Sequence, residues 1–286
     1  MNGLYQIIEE RSLELGNDSD VIKDEIESGK YPGLSLYGNQ LVYKTEHIYP
    51  NRSAHSDRIP LLFLFTNPHP ESVARRLFLS EPHSQTFWQR LFESCHLRLP
   101  LGTQIDLKSW DESTTQVLGE LMLRGEYESK FLIYFHCLWP VPTKQPSDLK
   151  RLFKSNKNLL REIERSGMDE LEKLVQDEQI RHIVVFAGPT FHEVTGANID
   201  SYKGWASRLI QAINDFQGNR DAEKYWLRLR SGYAKATFSQ NVDVYLALNT
   251  HAKNWGKEKG KRYFTFGLDM IFERILIMMD VKQRGL

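Results

Sequence analysis

Cysteine is scarce: Cys95 and Cys137 are the only two in 286 residues. Two thiols cannot build a disulfide framework or supply an all-cysteine iron–sulfur site. An excess of charge of one sign is also missing, with 37 Lys and Arg against 37 Asp and Glu. With no global positive field, a nucleic-acid partner would have to be met by a local patch. No apolar run approaches the ~20 residues of a membrane-spanning helix, so no membrane role is expected. The opening MNGLYQIIEERSLELG lacks the basic-then-apolar order of a secretory signal. GxGxxG and GxxxxGK[ST] phosphate loops are absent. A soluble, cytoplasmic, monomeric protein working without metal or cofactor is the expectation.

What is present is a set of four short apolar runs. They are Leu61 to Phe65, Phe131 to Phe135, Ile183 to Ala187 and Val242 to Leu248. The first three are continuous rather than alternating, the pattern of strands buried on both faces. Amphipathic helical segments separate them: Ser84 to Leu97, Ser147 to Arg165, Ser201 to Phe216 and Tyr263 to Met279. Gaps far longer than a dozen residues between strands require parallel crossovers. The predicted fold is α/β, a three-layer αβα sandwich around a mostly parallel four-stranded sheet. Residues 1–57 read as an N-terminal extension, with a helix at Ser19 to Ser28 and a hairpin at Leu34 to Tyr43 turning at Gly38-Asn39. Residues 58–286 form the main domain, with an insertion near 192–240 that carries helical patterns at Trp205–Phe216 and Asp221–Leu229.

In an open parallel sheet, ligands bind beyond the carboxyl ends of the strands. That rule selects Thr66 to Pro70, His136 to Pro140, Gly188-Pro189-Thr190 and Asn249 to Gly256. Within these loops there is no Ser-His-Asp set, no pair of close carboxylates and no Cys/His spacing suited to zinc.

Phe65-Thr66-Asn67-Pro68-His69-Pro70-Glu71-Ser72, then Phe78-Leu79-Ser80-Glu81-Pro82, then Phe87-Trp88-Gln89-Arg90-Leu91, resemble the uracil-DNA glycosylase superfamily. The likeness is closest to its mismatch-specific, thymine-DNA glycosylase-like branch, where a GxNPG loop precedes a Phe-Pro segment and a Phe-Trp helix. Phe135 to Thr143 resembles the segment that contacts the base, and Ala247-Leu248-Asn249-Thr250-His251 stands where the family has its HPS or NPS motif. The resemblance spans roughly residues 58 to 285. It implies an enzyme that flips a nucleotide out of DNA and hydrolyses its N-glycosidic bond, leaving an abasic site. Its catalytic residues would be Asn67, which orients water, and Asn249 or His251, which steadies the leaving base. Phe78, His136 and His69 would bind the base.

Departures from the family pattern point away from plain uracil. Phe65 and His69 replace glycines, His136 replaces a common Asn, and Thr250 replaces a proline. The chain also resembles anti-phage glycosylases that remove glucosylated hydroxymethylcytosine from viral DNA, which implies a modified pyrimidine as substrate and antiviral defence as role.

Each residue carries a plainer reading as well. Asn67-Pro68 could simply end a strand. Phe78, Trp88 and Trp139 could be core, and Gly188-Pro189-Thr190 a helix start. Lys253, Asn254, Lys257, Lys259, Lys261 and Arg262 read as a phosphate-binding turn or as a solvated loop, and Arg75 with Arg76 as a second patch. The rival function is a catalytically inactive nucleic-acid-binding or sensor protein on the same fold. A third reading is an unrelated α/β hydrolase or nucleotide-binding protein.

Overall fold

The computed structural model describes residues 7–15, 19–82, 84–154, 156–199, 201–215, 232–238, 240–249 and 257–283. A small antiparallel sheet comes first, from β1 (Ile8–Glu14), β2 (Leu34–Tyr37) and β3 (Gln40–Glu46), in the order β1-β3-β2. Between β1 and β2 lies α1 (Ser19–Glu27). Tyr37 pairs with Gln40, so Gly38-Asn39 is a two-residue hairpin loop, and Gly38 supplies the positive φ of 61° that such a loop needs.

The main sheet contains β4 (Ile59–Phe65), β5 (Phe131–Cys137), β6 (His182–Val185), β7 (Tyr233–Thr237) and β8 (Asn241–Leu246). Its order is β5-β4-β6-β8-β7. β4 pairs in parallel with β5 and β6, and β6 with β8. The sheet therefore has five strands rather than the expected four. β7, inside the expected insertion, pairs antiparallel with β8 at the edge. Its Tyr-Ala-Lys-Ala-Thr sequence is too weakly apolar to signal a strand. Neighbouring backbone groups recruit it.

Helices cover both faces. After β4 come α2 (Pro70–Arg75), α3 (Thr86–Leu91) and α4 (Glu112–Arg124). α5 (Pro146–Leu152) and α6 (Lys157–Asp177) join β5 to β6, α7 (Gly188–Thr195) and α8 (Tyr202–Asp215) follow β6, and α9 (Lys257–Gln283) follows β8. Alternation along β4 and β5 sends Phe63, Phe65 and Phe135 to one face. There they meet Phe87 of α3; Phe63 and Phe65 also meet Phe186, and Phe63 meets Phe272 of α9. On the opposite face Tyr134 donates to Glu178, the C-cap of α6, at 2.8 Å. Among the described residues no helix is long and apolar enough to cross a membrane.

Several helical boundaries move. The stripe expected from Ser84 to Leu97 is helical only over α3. The stretch expected from Ser147 to Arg165 is two helices, because Asn156 restarts the chain as an N-cap, accepting from Leu159 N at 3.0 Å. α4 was not expected, although Asp111 caps it from Thr114 N at 2.6 Å and Gly125, at φ 65°, closes it. The Asp221–Leu229 pattern lies outside the described residues.

The small sheet is tied to the main one. Arg11 of β1 donates to both oxygens of Glu170 on α6 at 2.7 Å. Past β3, Ile48 and Phe135 exchange two backbone hydrogen bonds, of 3.0 and 2.9 Å. Residues 46–49 thereby run along the outer edge of β5.

Candidate active site

β4 connects outward to β5 on one side, whereas β6 connects to β8 on the other. The chain thus diverges beyond the carboxyl ends of β4 and β6, the place where open α/β sheets form crevices. Thr66 and Asn67 leave β4 there, and Phe186, Ala187 and Gly188 leave β6. The Thr66 and Thr190 hydroxyls share a hydrogen bond of 2.6 Å across the divide, and Phe65 and Phe186 stack at 5.1 Å beneath it. Gly188-Pro189-Thr190 is the start of α7, with Pro189 in its first turn.

The loops after β4 and β5 are zipped together. Leu138 N donates to Phe65 O, Trp139 N to Thr66 O, both at 2.8 Å, and Thr143 N to Pro68 O at 3.1 Å. The Asn67 side chain completes this zipper. Its Nδ2 donates to Thr143 O at 2.8 Å and lies 2.9 Å from Thr143 Oγ1 and 3.1 Å from Pro68 O. Two of those three partners are backbone carbonyls, which only accept. The atom facing them must therefore be the NH2 group, which settles the amide orientation. Thr143 Oγ1 gives its own proton to Gln145 O, so it too accepts from Asn67. With both amide hydrogens engaged, Oδ1 points elsewhere and accepts no hydrogen bond among the described residues. Asn67 is half-buried. A rigid carbonyl acceptor beside solvent can hold one water molecule in a set direction.

The other expected site residues divide. His69 is the N-cap of α2: its Nδ1 accepts from Glu71 N at 3.3 Å, which leaves Nε2 directed outward. Arg75 is exposed in the last turn of the same helix. Asn249 lies beyond β8, two strands from Asn67, roughly 10 Å at ordinary strand spacing. Its N–H donates at 2.8 Å to the Tyr202 hydroxyl, which donates in turn to Ala247 O at 3.1 Å. Asn249 is thus held from α8. His251, Lys253 and Asn254 lie outside the described residues, as does the side chain of Lys257.

Phe78 and His136 do not meet at one pocket. Phe78 is 1% exposed, between Phe65 and Phe135 at 5.6 Å from each, and its carbonyl accepts from Trp88 Nε1 at 2.6 Å. It is core, as are Trp88 and Trp139. His136 is 5% exposed and, by the pleat of β5, projects to the face opposite Phe135. There its Nδ1 is 2.8 Å from the Tyr49 hydroxyl, and its Nε2 is buried without a partner. Burial, with smaller contributions from His47 and Arg11, pushes the His136 pKa down to about 3, so the ring is neutral. The segment after β3 seals it: Tyr49 lies over His136, and His47 stacks on Tyr49 at 4.3 Å.

The same segment brings in a group that the strand-end rule did not find. Glu46, at the end of β3, is 2% exposed with Oε2 unpartnered. Burial first, and then the nearby Glu81, hold its carboxyl well above the usual carboxylate range. Glu81 itself accepts from Ser72 Oγ of α2. Glu46 also adds to the burial that holds the Cys137 thiol up. Two carboxyls, one of them with its pKa raised by burial, and a thiol thus gather at the carboxyl end of β5. Nothing in the sequence singled out Glu46: it is the last of three consecutive polar residues, Lys44-Thr45-Glu46, that close β3.

A scan against protein-family models finds no match for this chain, and neither does a search of curated proteins.

Proposed function

We propose that this protein is a monofunctional DNA glycosylase that hydrolyses the N-glycosidic bond of a modified pyrimidine. The observation that carries the reading is the Asn67 amide, locked through its NH2 to Thr143 with its carbonyl oxygen left for water. Hydrolysis at C1′ of a nucleotide passes through an oxocarbenium-like sugar. The bond from C1′ to the base nitrogen breaks, the base departs with the electron pair, and a water oxygen bonds to C1′ while its proton goes to solvent. So cationic a centre needs an oriented water more than a strong base, and a fixed amide carbonyl supplies orientation. The departing base needs hydrogen-bond donors. Asn249 and His251 of the β8 loop are assigned that task, with Lys253, Asn254, Lys257 and Arg75 meeting phosphates. The expected substrate is a modified cytosine such as the glucosylated hydroxymethylcytosine of viral DNA, and the expected role is antiviral defence. His69 is retained as a contact to the flipped nucleotide. Phe78 and His136 are assigned support of the sheet instead.

The test is incubation of the purified protein with modified duplexes, glucosylated viral DNA among them, followed by alkali cleavage and mass spectrometry of released bases. Free base and alkali-labile sites are expected, both lost in Asn67→Ala. The burial of Phe78 and His136 favours the second reading, a catalytically inactive DNA-binding or sensor protein. Salt-sensitive binding without base release from any duplex would establish that reading instead.

A further inference from the structure

A second cluster of chemistry-bearing side chains lies at the other end of the main sheet. Cys95 and His96 follow α3, and Glu273 is on α9. One potential ligand atom from each, the Cys95 thiol sulfur, an imidazole nitrogen of His96 and a carboxylate oxygen of Glu273, all lie within 4.8 Å of one another. His96 Nε2 is 3.7 Å from Glu273 Oε1, too far for a hydrogen bond. It is about the edge of a tetrahedron whose metal–ligand bonds are ~2.0–2.3 Å.

We propose that Cys95, His96 and Glu273 form a binding site for a zinc-class divalent transition metal, with the fourth position open to solvent at the exposed Cys95. The donor set specifies the class. A thiolate and an imidazole select late first-row ions over magnesium or calcium, which prefer all-oxygen shells.

The backbone that presents the ligands is held from two sides before any ion arrives. Asp269, one helical turn before Glu273 and so on the same face of α9, is fully buried. Its Oδ1 accepts from Ser94 Oγ at 2.5 Å and from Cys95 N at 3.2 Å. Ser94 Oγ accepts in turn from His96 N at 3.1 Å. On the other side, Ser129 Oγ donates to His96 O at 2.8 Å and accepts from Phe131 N, the first residue of β5, at 3.0 Å. Holding both ligand-bearing residues in this way lowers the ordering cost of coordination. The His96 ring also lies 5.5 Å from Phe272.

The site is at the amino end of β5, about 20 Å of strand from the loops that carry Asn67. Its work is therefore to staple the segment after α3 to α9, independently of the chemistry proposed at the opposite edge. Binding displaces the Cys95 thiol proton to solvent as the sulfur–metal bond forms, so affinity falls as pH falls.

Chelator-treated, dialysed protein titrated with Co2+ tests the proposal. One equivalent is expected to bind with a near-ultraviolet thiolate-to-cobalt absorption, which Zn2+ then bleaches, and Zn2+ is expected to raise Tm by about 5 °C. Cys95→Ser, whose fold is checked by circular dichroism, should lose the absorption. Glu273→Gln should weaken Co2+ binding by about tenfold or more. A wild-type protein with no thiolate–cobalt absorption, or an absorption that survives Cys95→Ser, would overturn the assignment.

Discussion

Asn67 follows β4, and His136 is the penultimate residue of the adjacent β5, so both stand at the carboxyl end of one sheet, yet their fates are opposite. Asn67, half-buried, spends its two donors on Thr143 and Pro68, and its carbonyl oxygen accepts no hydrogen bond among the described residues. His136 spends one nitrogen on Tyr49, and the other is shut away without a partner. The difference comes from what the chain lays over each strand. Residues 46–49 cover the outer edge of β5, whereas β4 lies inside the sheet between β5 and β6, and Asn67 beyond its end is only half-buried. A polar side chain at a strand end becomes available for chemistry only where no other segment docks.

The largest test of that contrast is Asn67→Ala. Base release should fall by at least about 100-fold, comparable to removing one preorganised polar group from an active site, with DNA binding retained in a gel-shift assay. Gly167→Ala breaks the support of both loops. A Cβ there would overlap the Leu138 carbonyl oxygen, and forcing α6 away from the β5 loop should cost about 3 kcal/mol in urea unfolding. Tyr49→Phe leaves His136 with neither nitrogen partnered. It should cost about 1–3 kcal/mol and leave base release per folded molecule unchanged.

The pH dependence of unfolding sharpens the comparison further. The folded pKa of His136 is depressed to about 3 from 6.5, so its stabilising share is present above 6.5 and lost as pH falls toward 3. The slope expected from this group is at most about 1.4 kcal/mol per pH unit, and it should be absent in His136→Gln. The smallest effect has the opposite sign. The raised pKa of Glu46 means that stability is full below 4.5 and declines as pH rises toward its folded value. Glu46→Gln should therefore raise Tm at pH 8, with the gain vanishing near pH 4 in calorimetry.

Much of the architecture was legible. The runs at 61–65, 131–135, 183–187 and 242–248 are the parallel strands, shifted by a few residues, and the Gly38-Asn39 hairpin and the 19–28 helix are where turn and cap chemistry put them. β1 and β7 were not legible, since each alternates or carries too little apolar surface and forms by pairing with a stronger neighbour. α4 was overlooked despite its caps at Asp111 and Gly125. At the candidate site, the loop positions of Asn67, His69 and Asn249 were readable from strand ends alone. The burial of Phe78 and His136 was not.

The sequence alone settled which segments lie on both-sides-buried strands, because a continuous apolar run has no solvated face to offer. It also pointed to a parallel core, since long connections forbid hairpins, although the order of the strands came only with the structure. Only the tertiary structure decided which strand-end groups stay open, which carboxyl is buried and has its pKa raised, and that Glu273 comes beside Cys95 and His96. Those outcomes depend on desolvation by residues remote in the chain, and no local pattern encodes which remote segment will arrive.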